Sequence, residues 1–353
     1  MSEKQKMKLP FDFGKKIKNN TVKPNNSHAK LTDEHKQSLK LNQQAIINNK
    51  TSFVIQEAYK TARTNIIFSV SGSNDTGCKK IAFTSANQGE GKTTSCINLA
   101  ITFAQTGAKV LVMDGDMRRP RIHQYLGIIK TDGLSTVLSM QKTFDEVVYR
   151  DVRPNLDLIT SGSIPPNPAE LLSSKAMTDL IDMLSLRYEY IFVDTPPTTV
   201  VTDASALSKL MDGMVIVVRE GYTTHESLEH AIGLLKMADA KLLGFFVNDI
   251  DPNNANYGIY QRQYGRKYGY GGRHYGQKYG YKYGYKYGYS YGYGYDYGGY
   301  NDRYGDSQEE IEQDNKVLAQ TIEEQKTEER EGGESNNAVP GSPFDNDDDT
   351  TKM

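Results

Sequence analysis

Ser85-Ala86-Asn87-Gln88-Gly89-Glu90-Gly91-Lys92-Thr93-Thr94 is the stretch whose residue types and spacing do the most specific chemistry. Small residues and glycines let successive backbone N–H groups turn toward an anion. Gly-Lys-Thr opens a helix whose positive dipole end faces the same point. Asn87, Gly89, Glu90, Gly91, Lys92, Thr93 and Thr94 form the expected nucleotide-binding set. Lys92 reaches the β- and γ-phosphates, and the Thr93 hydroxyl is a ligand for Mg²⁺. Ala86 stands where the usual pattern has glycine, six residues before the lysine.

A triphosphate with Mg²⁺ also needs oxygen ligands and a group that prepares the nucleophile. Three aspartates are candidates for both tasks. Asp194 follows the apolar run Tyr190-Ile191-Phe192-Val193, and Asp114 and Asp116 follow Lys109-Val110-Leu111-Val112-Met113. In extended chain a spacing of two points both side chains the same way, so one of that pair can help hold the metal while the other accepts a proton. Taken alone, Asp-x-Asp is more often a turn or a helix cap. Arg118, Arg119 and Arg121 come next, as phosphate-charge stabilisers, an anion dock, or plain surface residues.

The elements that must position these residues show as apolar runs alternating with helical patterns. Ile81–Thr84 leads into the loop, and a helical pattern from Cys96 to Gln105 leads out. Leu156–Ile159, Met214–Val218 and Leu242–Val247 are further strands, with helices expected at 169–186, 203–211 and 224–237. Continuous apolar strands alternating with helices predict an α/β fold, a mostly parallel sheet covered on both faces. Ligands then sit beyond the carboxyl ends of the strands, where Ser85, Asp114 and Asp194 all fall, so three separated motifs converge on one pocket.

The 353 residues divide unevenly around that core. Residues 1–50 carry 11 Lys/Arg against 4 Asp/Glu and predict a basic flexible arm; residues 51–252 hold the core. A Tyr/Gly-rich tail follows at 253–304, and an acidic, disordered tail at 305–353, with 4 Lys/Arg against 15 Asp/Glu. Such segregation of charge predicts tails with partners of their own. The arm could attract an anionic lipid leaflet at roughly 1 kcal/mol per charge, or be a solvated tail. Cys78 and Cys96 give neither metal spacing nor a disulfide framework. No apolar run approaches the roughly 18–20 residues of a membrane span, and the Lys-rich start lacks a signal peptide's apolar stretch, which predicts a cytoplasmic protein.

Ala-x-x-Gly-Glu-Gly-Lys-Thr at 86–93, the apolar run into Asp114-x-Asp116-x-Arg118 and the run into Asp194-Thr195-Pro196-Pro197 together resemble the bacterial tyrosine kinases, P-loop NTPases related to the MinD/ParA ATPases. Thr160-Ser161-Gly162, Pro165–Leu172, Gly133-Leu134-Ser135 and Val217-Val218-Arg219 fit as well. Asn87 stands where ParA-like relatives carry a signature lysine, a departure toward the kinase branch. The resemblance implies ATP and Mg²⁺ as cofactors. It implies Lys92, Asp114, Asp116 and Asp194 as catalytic residues, and Thr93 with the three aspartates at the metal. Asp114 is the first choice as base and Asp116 its rival. It further implies a homo-oligomeric ring bridged through a Glu-x-x-Arg-x-x-Arg helix face, matched by Glu57, Lys60 and Arg63, where Lys60 lacks the bidentate fork of arginine. A membrane-embedded activator of the chain-length-determinant type, a cognate tyrosine phosphatase, a place at the inner face of the membrane and control of capsule or exopolysaccharide export are implied too.

Of 24 tyrosines, 18 lie between Tyr257 and Tyr304, with 13 glycines interleaved. Family members end in a tyrosine cluster that is the autophosphorylation substrate. The resemblance therefore implies Tyr279, Tyr281, Tyr283, Tyr285, Tyr287, Tyr289, Tyr291, Tyr293, Tyr295, Tyr297 and Tyr300 as acceptors. Without the upstream motifs, a Tyr/Gly-rich basic segment would instead suggest stacking on single-stranded RNA or self-association; with them, no nucleic-acid partner is expected. The alternative from another class is a MinD/ParA-like switch that passes phosphate only to water.

Overall fold

The computed structural model describes residues 36–71, 77–250 and 308–334. Seven strands form one sheet: β1 (Lys79–Ser85), β2 (Val110–Asp114), β3 (Tyr149–Arg153), β4 (Leu156–Ile159), β5 (Tyr190–Asp194), β6 (Gly213–Arg219) and β7 (Leu242–Asn248). Their order is β3-β4-β2-β5-β1-β6-β7, and every pair is parallel except β3 with β4.

Alternate residues of the central strands enter two different cores. Ile81, Phe83, Val110, Val112 and Phe192 face one, and Ala82, Leu111, Met113, Ile191 and Val193 face the other. Both faces being buried is why these strands read as unbroken apolar runs. On the first face lie a helical stretch α1 at 36–44, α2 (Phe53–Val70), α3 (Lys92–Ala104) and α4 (Ile122–Leu126). The second face is covered by α5 (Leu134–Leu138), α6 (Phe144–Val147), α7 (Pro168–Leu172), α8 (Lys175–Ser185), α9 (Asp203–Leu207) and α10 (His225–Met237). The sequence predicts one helix over 169–186; the structure has two, because Ser174 caps a new helix by accepting from the Met177 N–H.

Two expectations about the ends are corrected. Residues 36–50, assigned to the basic arm, belong to the folded body: Ile46 and Ile47 are buried in the first core. The Ile47 N–H donates to Asn98 Oδ1 at 2.8 Å, and Asn98 Nδ2 donates back to the Ala45 carbonyl at 3.0 Å. Part of the acidic tail is likewise ordered, as the helix α11 (Gln308–Glu334). Averaged charge over each end concealed short apolar sets, Leu39/Ile46/Ile47 and Ile311/Val317/Leu318, that are buried here. The remainder of both tail assignments, and all the acceptor candidates from Tyr279 to Tyr300, lie outside the described residues.

Candidate active site

The convergence expected from the sequence is present. Asp114 and Asp194 are direct cross-strand partners at the ends of β2 and β5, and Phe83 of β1 pairs with Asp194. The loop after β1 is stitched to the loop after β5: the Thr195 N–H donates to the Phe83 carbonyl at 2.9 Å, and the Thr198 N–H to the Ser85 carbonyl at 2.9 Å. These bonds fix Asp194-Thr-Pro-Pro beside the phosphate loop.

Lys92 opens α3, and Gly91 precedes it with φ of 87°, in the left-handed region that glycine enters freely. A Cβ at Gly91 would also meet Asn248 Nδ2 at 1.9 Å, and that amide is pinned by donating to the Glu90 carbonyl at 3.1 Å. Gly91→Ala is therefore expected to deform the loop, at roughly 1–2 kcal/mol for the backbone conformation alone. Titration with a fluorescent ATP analogue should show at least about tenfold weaker binding, each ~1.4 kcal/mol being a factor of ten.

Four charged groups meet within the site. Lys92 Nζ lies 3.0 Å from Asp116 Oδ2 and 3.6 Å from Asp194 Oδ1. The Thr93 hydroxyl donates to Asp194 Oδ2 at 2.6 Å. Asp116 is fully engaged, since its Oδ1 accepts the Arg119 N–H at 2.9 Å. Asp114 differs: it is completely buried, and neither carboxylate oxygen has a hydrogen-bond partner. Burial first, then the neighbouring Asp194 and Asp116 carboxylates, push the Asp114 carboxyl well above the usual carboxylate range. Burial likewise lifts Asp194 to about 6, against the pull of Lys92 and the Thr93 hydroxyl.

Orphaned buried carboxylate oxygens are what a hard cation would satisfy, so the donor set of Thr93, Asp114 and Asp194 fits Mg²⁺. Among the described residues no group of three or more His, Cys, Asp or Glu side chains forms a metal cage of its own. Mg²⁺ is commonly held by one or two carboxylates together with water and substrate phosphate.

Glu90, expected in the nucleotide set, has its side chain turned inward and completely buried. Its carboxylate accepts from the Asn87 N–H at 3.0 Å, Asn87 Nδ2 at 3.1 Å and the Thr223 hydroxyl at 2.6 Å. Glu90 thus shapes the loop from within. Thr223 and Asn248 were not foreseen; they reach the loop from elements far along the chain, and no local spacing marks them. The three arginines after Asp116 part company, and Arg121 Nη1 donates to Gln124 Oε1 at 3.4 Å. Arg118 makes a two-pronged bond to buried Asp203, at 2.9 and 3.1 Å, while Arg119 Nη1 donates to Gln88 Oε1 at 3.2 Å. The expected oligomer face on α2 is partly committed within the chain. Glu57 and Lys60 pair at 2.7 Å, but Arg63 Nη1 donates inward to the Thr102 carbonyl at 2.6 Å.

Fold and loop together define a P-loop nucleotide-binding domain, and residues 78–242 match the family profile of an AAA domain, AAA_31. The chain is 42% identical to the tyrosine-protein kinase YwqD of Bacillus subtilis (strain 168) over 205 residues, 58% of this chain and 85% of that one. It is 32% identical to the putative tyrosine-protein kinase CapB of Staphylococcus aureus over 216 residues, 61% of this chain and 93% of that one. Among solved structures, the kinase domain of Escherichia coli tyrosine kinase ETK aligns with a TM-score of 0.54 at 28% identity, covering 57% of this chain and 77% of that one. The chimerical protein CapA2B2 aligns with a TM-score of 0.52 at 36% identity, covering 54% and 83%. The chain belongs to the bacterial tyrosine-protein kinases, and it is a protein-tyrosine kinase. Among the described residues, no helix is long and apolar enough to cross a membrane.

Proposed function

We propose that the protein is an autokinase that transfers the γ-phosphoryl group of ATP to tyrosines of its own segment 257–304. One observation supports this most: the strand that leads into the segment ends on the phosphate loop. Asn248, last in β7, donates to the Glu90 carbonyl at 3.1 Å, and Asp249 pairs with Arg219 at 2.7 Å. Arg219 Nη1 in turn lies 3.5 Å from the Gly89 carbonyl. Ile250, seven residues before Tyr257, therefore lies beside residues that contact the phosphate loop.

In this reading the loop N–H groups and Lys92 hold the β- and γ-phosphates, which requires the Lys92 ammonium to exchange its carboxylate partner for phosphate. Thr93, Asp114 and Asp194 would hold Mg²⁺, which would neutralise the phosphate charge. A tyrosine phenol has a pKa near ~10 and is a poor nucleophile at neutral pH. As its oxygen bonds to phosphorus and the bond to ADP breaks, its proton passes to a carboxylate within hydrogen-bond reach. Asp114 suits that role better than Asp116, whose two oxygens are already engaged by Lys92 and the Arg119 N–H.

The segment has 8 Lys/Arg against 2 Asp/Glu, so a few phosphates at about −1.5 to −2 each reverse its charge and drive neighbouring segments apart. Membership of the family supports a membrane-embedded activator, a cognate phosphatase, a ring of identical subunits, a position at the inner face of the membrane and control of capsule or exopolysaccharide export. With labelled ATP and Mg²⁺, the purified chain should label tyrosine and lose that label in Lys92→Met; release of free phosphate alone would identify a switch instead. Deleting residues 257–304 should abolish phosphotyrosine on the protein while sparing ATP binding, and phosphotyrosine surviving the deletion overturns the assignment of the acceptor.

A further inference from the structure

The helix α11 lies beyond the residues that match the family profile, yet it is seated on the kinase domain by specific contacts. Asn315 clamps one residue from both sides: Oδ1 accepts the Lys130 N–H at 3.0 Å, and Nδ2 donates to the Lys130 carbonyl at 2.7 Å. Gln124 Nε2 donates to Asp314 Oδ2 at 2.6 Å, with both side chains buried. Val317 and Leu318 close over Leu39 of α1, with Ile322 against the same cluster. Gln124 is joined to α1 as well, through Asn42 Nδ2 at 3.3 Å. The seat is therefore composite, built from α1 and the stretch from α4 to Lys130, which follows directly on the Asp114–Asp116 loop.

We propose that α11 is a releasable ligand of its own kinase domain, and that its docking confines the far tyrosines of the segment; the second part rests on the acceptor assignment above. With α11 docked, the segment is held at both ends, at Asn248 on the phosphate loop and at Asp314–Leu318. Tyr300 stands eight residues before Gln308, so at the chain's maximum of about 3.5 Å per residue it stays within about 28 Å of the start of the helix. With α11 free, Tyr300 is limited only by its fifty residues from Ile250, roughly 170 Å at full extension. Docking thus decides whether the distal tyrosines can reach a neighbouring molecule's site. The seat has the character of a reversible contact. Its apolar part is a few side chains, and a cavity of about 280 Å³ lined by Asp132, Gly162, Ser163, Ile311 and Glu312 among others lies between α11 and the domain. The acidic helix meets a helix bearing Lys36 and Lys40, so charge favours association over long distances.

V317D/L318D in the full-length chain changes only α11, leaving the domain's own core intact. Hydrogen exchange read by mass spectrometry should show residues 36–44 and 121–130 exchanging at least tenfold faster in the variant; equal rates overturn docking. Protection in the unsubstituted chain that appears only as concentration rises with dimer formation would place the helix on a second copy, and overturns the intramolecular assignment. For the consequence, active kinase is mixed with full-length acceptor carrying Lys92→Met, with or without V317D/L318D. Phosphotyrosine on the acceptor should rise several-fold with the release substitutions, and an unchanged level overturns confinement. Phosphotyrosine that maps only outside residues 257–304 would instead refute the acceptor assignment, while the exchange data still decide docking.

Discussion

Replacing Asp114 with asparagine is expected to raise the melting temperature at pH 8 by about 3–6 °C while lowering tyrosine phosphorylation by about 10²–10⁴-fold. Both effects have one cause. Asp114 is a completely buried carboxylate without a hydrogen-bond partner, directly across from Asp194, and like charges placed so repel. A carboxyl whose native pKa lies above its unfolded value holds its proton more tightly in the folded state. The contribution of each carboxyl to stability is then greatest at low pH and falls as pH rises, from about 4 toward 6 for Asp194 and in the same direction for Asp114. Asparagine removes one of the repelling charges, and its amide gains an acceptor in Asp194. The gap in melting temperature between pH 5 and pH 8, recorded without nucleotide, should narrow in the variant. A variant less stable than the original at pH 8 would show that Asp114 is not strained by its neighbours. The same strain is useful to a kinase, since a carboxylate short of partners is available to a metal ion and to a proton.

Arg118→Ala should be the most destabilising single change at the rim of the site, by about 3–5 kcal/mol, because it leaves Asp203 buried and unpaired. For a core of this size that is a fall of roughly 6–20 °C in melting temperature. Asp203 lies in the first turn of α9, and Arg118 in the loop carrying Asp116, so the fork fastens that loop to the helix behind Asp194. Arg118→Lys keeps the charge without the fork and should fall between the two. If Arg118 served phosphate instead, the alanine variant would melt normally and show only a raised KM for ATP.

That arginine marks where the sequence stops being informative. Its charge and place after Asp116 fit a phosphate contact, a dock or a surface residue equally, and only the fold brings Asp203 to it. The strands were legible because burial on both faces leaves an unbroken apolar run, as at Val110–Met113. β3 escaped notice because Arg150, Asp151 and Arg153 sit on an exposed antiparallel edge with no apolar alternation. The loop and its three aspartates were legible because phosphate chemistry fixes residue type at fixed offsets. Asn248 could not be, since its contact with Glu90 spans 158 positions. At both ends of the chain, charge averaged over some fifty residues hid Ile46, Ile47, Val317 and Leu318, whose burial is a property of the particular residues.

The contact between Asn248 and the Glu90 carbonyl gives the enzyme a mechanical property. Tension on the chain beyond Ile250 passes into β7. That strand lies along β6, so a pull along its length loads their hydrogen bonds together in shear, and the sheet resists as a unit. At its end the strand is fastened by the Asp249–Arg219 pair and by the Asn248 amide on the Glu90 carbonyl, and both fastenings reach the loop that must hold ATP. A pull on the chain beyond Ile250 is therefore felt at the phosphate loop.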